Sequence, residues 1–233
     1  MDFWLENFAR ANFLRSADTA HDLKTPLNVA VLNLELLRMR LRKISDEGDG
    51  DDKIAVYMRS IEIELRRMGR IFDAFFLMST PPANEGDPTA IDLAPILTEA
   101  ASSVSIELVV DKRQDERLPV IDERLLVVAH EPRIRQAVRL FFEGAVKLFG
   151  DGTATAAIAR HERRLTVTVA GKPAAADFEP TRIFKFYYSD AGGNPDLSLA
   201  VARLIAETYG GEIDAVEDRD KVSLRLSFPL GAE

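Results

Sequence analysis

The chain has 233 residues, 46% of them hydrophobic and 29% charged, with a net charge of −8 and no cysteine. This is the composition of a globular protein with one large or two small domains. It excludes disulfide and thiol chemistry and argues against general affinity for nucleic acid. Only His21, His130 and His161 could offer imidazole to a metal, and none forms a spaced ligand motif, so no metal is expected. No apolar run is long enough to span a bilayer. Met1-Asp2-Phe3-Trp4-Leu5-Glu6-Asn7 has no basic region before an apolar stretch. A cytoplasmic protein without membrane insertion is expected.

Residues from about 3 to 43 read as one long helix, with Trp4, Leu5 and Phe8 opening its apolar face. Phe13, Ser16, Ala20, Leu23, Leu27, Ala30, Leu34, Leu37 and Leu41 then recur at alternating steps of three and four. That spacing is a heptad seam of the kind that packs helices into bundles. His21 lies one residue past a seam position, on the flank, where a partner protein can reach it. Pro26 has no N–H, so the carbonyl of Asp22 loses its helical partner and a kink is expected. A carboxylate at Asp22 can accept from one ring nitrogen of His21 and leave the other free as a nucleophile. Thr25 is one turn on, on the same face.

His21-Asp22-Leu23-Lys24-Thr25-Pro26-Leu27 closely resembles the phosphoacceptor box of bacterial sensor histidine kinases. The resemblance implies that His21 is phosphorylated, that Asp22 assists proton transfer, and that Thr25 helps orient water or the partner during dephosphorylation.

Ser45 to Asp52 reads as an acidic loop without the ligand spacing of a calcium-binding hand. Ile54, Met58, Ile61, Leu65, Met68, Phe72 and Phe75 then repeat the four-three spacing up to Thr80-Pro81-Pro82. Two long helices joined by a short loop make an antiparallel hairpin. A lone hairpin exposes much of its apolar face, so a homodimer closing a four-helix bundle is expected. The domain boundaries follow: a dimerisation and phosphoacceptor hairpin over 1–80, a linker over 81–90, and a second domain over 91–233.

In the second domain, Ile91 to Val104 reads as a helix, and Ser105 to Asp111 and Leu125 to Ala129 as strands. A helix starts at Pro132 and runs to about Phe149, with Ile134, Val138, Phe141, Phe142, Ala145 and Leu148 as its apolar stripe. Thr153 to Arg160 and Leu165 to Ala170 form a hairpin. Leu197 to Tyr209 is helical and stops at Gly210-Gly211. Glu212 to Glu217 and Lys221 to Phe228 form a last hairpin. Strands mixed with helices give an α+β sandwich. His130 and His161 read as structural or solvated residues.

This order resembles the ATP-binding domain of histidine kinases. Arg135 to Lys147 matches the kinase N box in frame, Ile183 to Tyr188 resembles the F box, and Leu199 to Ile205 followed by Gly210-Gly211 matches the last glycine-box region. The ligand positions depart from the family. Leu140 and Gly144 stand where the family has magnesium-holding asparagines, and only Glu143 matches. Ala170-Gly171-Lys172-Pro173-Ala174 lacks the aspartate that reads adenine. Asp196 and Ser198 replace the glycines of the second glycine box. A carboxylate repels a triphosphate, and an unread base edge costs on the order of 1–3 kcal/mol. Lys172 reads as a solvated loop residue. The expectation is a histidine phosphotransferase that accepts a phosphoryl group on His21 from a receiver-domain aspartate and passes it to another response regulator. A hybrid histidine kinase and receiver domains would be its partners. No cofactor is expected on this chain, and magnesium would be bound by the receiver. Two alternatives stand beside this reading: a divergent kinase core with residual ATP-dependent autokinase or phosphatase activity, and a receiver-binding module that is never phosphorylated.

Overall fold

A computed structural model of the chain describes residues 6–7, 9, 26–41, 51–79, 86–110, 125–150, 155–161, 163–174, 178–185, 188, 196–218 and 221–231. The chain divides into two compact units. One comprises residues 13–79; the other comprises 80–233 together with 1–12.

In the first unit, helix α1 covers 26–41 and helix α2 covers Asp51–Ser79. α2 begins two residues before the end of the expected acidic loop. Asp51 and Asp52 belong to its first turn. The rest of that loop, Ser45–Gly50, lies outside the described residues.

The apolar positions of the hairpin split into two stripes. Pro26 and Ala30 on α1, and Glu64 and Ile71 on α2, are buried. The Glu64 carboxylate is held by Arg67 at 3.2 Å, both side chains being largely buried. The heptad residues Leu27, Leu34 and Leu41 on α1, and Met58, Leu65 and Phe72 on α2, are about half exposed. Each set repeats every seven residues, so each is a continuous apolar stripe that the single chain leaves open.

The second unit is an α/β sandwich, mixed α+β as expected. Strand β1 (Thr89–Asp92) pairs antiparallel with β3 (Leu126–Ala129) in a two-stranded sheet. Helix α3 (Leu93–Ser103) and strand β2 (Glu107–Val110) lie between them in sequence. Helix α4 (Glu131–Phe149) leads to the hairpin β4 (Thr155–His161) and β5 (Arg164–Gly171). A 3-10 turn at Arg182–Phe184 precedes helix α5 (Ser198–Thr208) and the hairpin β6 (Glu212–Asp218) and β7 (Lys221–Pro229). The five-stranded sheet runs β2-β4-β5-β7-β6, with β2 parallel to β4 and every other pair antiparallel.

The start of this unit differs from the sequence expectation. Ile91 is in strand β1, not in a helix, because Asp92 caps α3 by accepting from the Ala94 N–H at 3.1 Å. The same carboxylate oxygen accepts from the Leu125 N–H at 3.1 Å and so ties β1 to the entry of β3.

The core lies between the sheet and the helices. Phe141 and Phe142 on α4 are fully buried and meet edge to face with ring centroids 5.5 Å apart. The whole expected stripe of α4 is buried. His130, the residue before α4, is buried and structural. Its Nε2 donates to the Gly86 carbonyl at 2.9 Å, and its Nδ1 lies 2.8 Å from the Tyr209 hydroxyl. The ring thus joins the segment before β1 to the end of α5.

Candidate functional site

The site forms where the C-terminal half of α4 meets the start of α5. Gly144 makes the approach possible: a Cβ there would stand 2.6 Å from Leu199 Cγ and 2.8 Å from Leu199 Cδ2. Leu199, buried on α5, fills the space that any side chain at 144 would need. One turn further along α4, Lys147 reaches the residues that lead into α5. Its Nζ lies 3.0 Å from Asp196 Oδ1 and 3.2 Å from Ser198 Oγ. Asp196 Oδ1 also accepts from the Ser198 hydroxyl at 2.7 Å and from the Ser198 N–H at 3.1 Å. Asp196 and Ser198 are buried, whereas the Lys147 side chain is 46% exposed. The Asp196 N–H donates to the Tyr188 carbonyl at 3.1 Å.

On the exposed face of α4, the Glu143 carboxylate lies 3.7 Å from the Arg139 guanidinium. A second depression, of about 390 Å³, lies between α3 and α4 and is lined by Ile96, Glu99, Pro132, Arg135 and Arg139 among others. Arg135 reaches across it to Glu99 on α3 at 2.6 Å and along α4 to Glu131 at 2.8 Å. The hydrogen bond to Glu131, and then the one to Glu99, hold its guanidinium above its ordinary pKa. On the other side of the site, Arg203 stands 5.0 Å from the ring centre of Phe184 and 2.8 Å from Glu207, which ties the F-box segment to α5.

Magnesium held against a triphosphate needs oxygen ligands. Leu140 and Gly144 supply none from their side chains, and Asp196 is committed to Lys147 and Ser198. Among the described residues no group of three or more acidic or histidine side chains could hold a metal ion. The described residues therefore do not fit a magnesium centre built from the usual donors.

The expected phosphoacceptor-box residues His21, Asp22 and Thr25 lie outside the described residues, as do Phe186 and Tyr187 of the segment resembling the F box. Pro26, the residue before Leu27, is buried at the start of the described part of α1. Lys172 is exposed, as a solvated loop lysine would be. The contact that sequence reasoning missed is the one between Lys147 and Asp196, which are 49 residues apart. No local pattern in the sequence marks it, because the packing of α4 against α5 is what brings the two residues together.

Residues 14–84 match the model of the His Kinase A (phospho-acceptor) domain. The sensor protein CzcS of Cupriavidus metallidurans is 28% identical over 233 residues, covering 94% of this chain and 46% of the relative. The adaptive-response sensory kinase SasA of Prochlorococcus marinus is 30% identical over 212 residues, covering 87% of this chain and 54% of the relative. This chain thus spans about half the length of these curated relatives. The structure of histidine kinase ThkA in complex with response regulator protein TrrA aligns with a TM-score of 0.55 at 17% identity, over 99% of this chain and 67% of that one. Full-length ShkA in complex with AMPPNP aligns with a TM-score of 0.51 at 18% identity, over 89% of this chain and 46% of that one.

The chain resembles a sensor histidine kinase core: a phosphoacceptor hairpin followed by a sheet domain with the fold of the kinase ATPase domain. This overturns the expectation of a phosphotransferase that works without ATP. The named relatives are sensor proteins and kinases, and they match through both units, not through the hairpin alone. The physical reason lies in the size of each loss. A missing ligand contact costs on the order of 1–3 kcal/mol, which lowers affinity by one or two powers of ten without abolishing a pocket.

Proposed function

We propose that the chain is the core of a divergent sensor histidine kinase acting in a two-component system, with ATP as phosphoryl donor and His21 as acceptor. The observation that carries this reading is the match of residues 14–84 to a phosphoacceptor domain, joined in one chain to a sheet domain of the kinase ATPase fold. A free ring nitrogen of His21 attacks the γ-phosphorus. The bond from phosphorus to the β–γ bridging oxygen breaks, and ADP leaves with that electron pair. Asp22 takes the hydrogen-bonded proton of the other ring nitrogen, which keeps the phosphohistidine neutral at the ring. A response-regulator receiver is the next acceptor, so no hybrid kinase is needed as donor. The working location is the cytoplasm, where ATP is supplied. No helix among the described residues is long and apolar enough to cross a membrane.

The open stripes Leu27–Leu34–Leu41 and Met58–Leu65–Phe72 support a homodimer whose two hairpins close a four-helix bundle. A second reading is favoured by the missing magnesium donors at Leu140 and Gly144. It is a balance shifted toward phosphatase action, in which Thr25 orients the water that hydrolyses the receiver's aspartyl phosphate.

The experiment is radiolabelled ATP with the purified chain, followed by addition of a receiver. Label on the wild-type protein that is absent from His21→Ala supports autophosphorylation. No label at millimolar ATP overturns it. Faster loss of label from a phosphorylated receiver with wild type than with Thr25→Ala supports the phosphatase reading.

A further inference from the structure

We propose that Asp196 is a built-in competitor for the phosphates of the nucleotide. The inference rests on the reading that ATP is the donor and docks against the facing ends of α4 and α5. The first-turn N–H groups of α5 lie at the positive end of its dipole, and Lys147 adds an ammonium beside them. N–H groups and an ammonium together make a place for an anion. The chain fills it with its own carboxylate. Asp196 Oδ1 takes the Ser198 N–H, the Ser198 hydroxyl and the Lys147 ammonium at 3.1, 2.7 and 3.0 Å.

The second observation is independent of charge. Gly144 and Leu199 let α4 and α5 approach so closely that a single Cβ at 144 would collide. Gly144 and Lys147 are three residues apart and so share one helix face. The close approach therefore presses the Lys147 stem toward the segment carrying Asp196. The carboxylate is buried and the ammonium is about half exposed. An incoming anion can thus reach the ammonium without opening the core, but must displace the carboxylate to keep it. A phosphoryl oxygen and a carboxylate oxygen accept the same hydrogen bonds and carry the same sign of charge, so they exclude one another at this place. Asp196 acts on the phosphates and leaves binding of the base untouched.

The test is calorimetric titration of the full chain with ATP and with adenosine, for wild type, Asp196→Asn and Asp196→Gly. Asp196→Asn keeps the size and an acceptor for Ser198 while removing the charge, and thermal melting without ligand reports its folding. The expected result is ATP binding at least tenfold tighter in Asp196→Asn, with adenosine binding unchanged. Unchanged or weaker ATP binding in the folded Asp196→Asn protein overturns the competitor role. So does an equal gain for adenosine, which would mean a change at the base and not at the phosphates. If Asp196→Gly does not fold, Asp196→Asn decides alone. Labelling of His21 separates this inference from the kinase reading. Wild-type label together with unchanged ATP affinity in the variant overturns the competitor and leaves the kinase. No wild-type label together with tighter ATP binding in the variant overturns the kinase reading and supports the competitor.

Discussion

The hairpin and the sheet domain solve the burial problem in opposite ways. The sheet domain closes on itself: Phe141, Phe142, Leu165, Ile183, Ile213, Leu224 and Leu226 are all essentially inaccessible within one chain. The hairpin leaves six large heptad side chains about half exposed and buries a glutamate–arginine pair instead. Apolar surface contributes roughly 25 cal/mol per Å² when removed from water. The sheet domain gains this by folding, whereas the open stripes of the hairpin would gain it only in the proposed homodimer. The stability of one unit should therefore be independent of concentration, and that of the other should depend on it.

The sharpest way to break this contrast is Phe141→Ala. Loss of a fully buried aromatic ring costs about 3–5 kcal/mol. Hydrogen exchange should speed up in β5, β7 and α5 and stay unchanged in 26–41 and 51–79. Equal loss of protection in both units would mean that they do not fold separately. Next in size is Leu34→Arg, which sets a charge in the open stripe. Burying it in a dimer costs about 2–3 kcal/mol, a rise in the dimer dissociation constant of about two powers of ten. Sedimentation should show monomers with unchanged helical circular dichroism. Persistence of the dimer would place the interface elsewhere.

Gly144→Ala tests the close approach of α4 and α5. An alanine in mid-helix gains up to about 1 kcal/mol in helix propensity. Overpacking against Leu199 costs about 1–3 kcal/mol. The collision should win, with a net loss of up to about 2 kcal/mol in denaturant unfolding; a gain in stability would show that Leu199 moves aside freely. The smallest effect is expected at Arg225, which holds Asp214 through two hydrogen bonds of 2.8 and 2.6 Å on the exposed face of β6 and β7. Asp214 holds that guanidinium above its ordinary pKa. Both side chains are over two-fifths exposed, so a double-mutant cycle should return less than 1 kcal/mol.

The same contrast explains what the sequence revealed. Helix periodicity marked both hairpin helices and the stripe of α4, because local spacing decides which face is apolar. It did not distinguish the buried Ala30 from the open Leu27, Leu34 and Leu41, since all four belong to the same three-four repeat. Strand β1 was missed because four residues carry little alternation and their partner lies across α3 and β2. The parallel pairing of β2 with β4 is likewise set by topology and leaves no local mark. At the site, the unusual residues were visible as departures from a pattern: Leu140, Gly144, Asp196 and Ser198. Their consequence was overread, because each absent ligand contact lowers affinity by about one or two powers of ten and does not by itself abolish a pocket. What could not be seen is that Asp196 already has its cation in Lys147.

The packing of Leu199 over Gly144 also fixes the order in which this site could change. An asparagine at 144 has no room while Leu199 stands where it does. A one-step return to the family residue would therefore damage the helix pair before it could help bind anything. The route back runs through position 199 first, by trimming Leu199, and only then through position 144. The two residues behave as a ratchet: each change alone is harmful or empty, and only their sequence restores the choice. Engineering of nucleotide binding into this chain would meet the same gate, and a library varying single positions would pass over every solution that needs both.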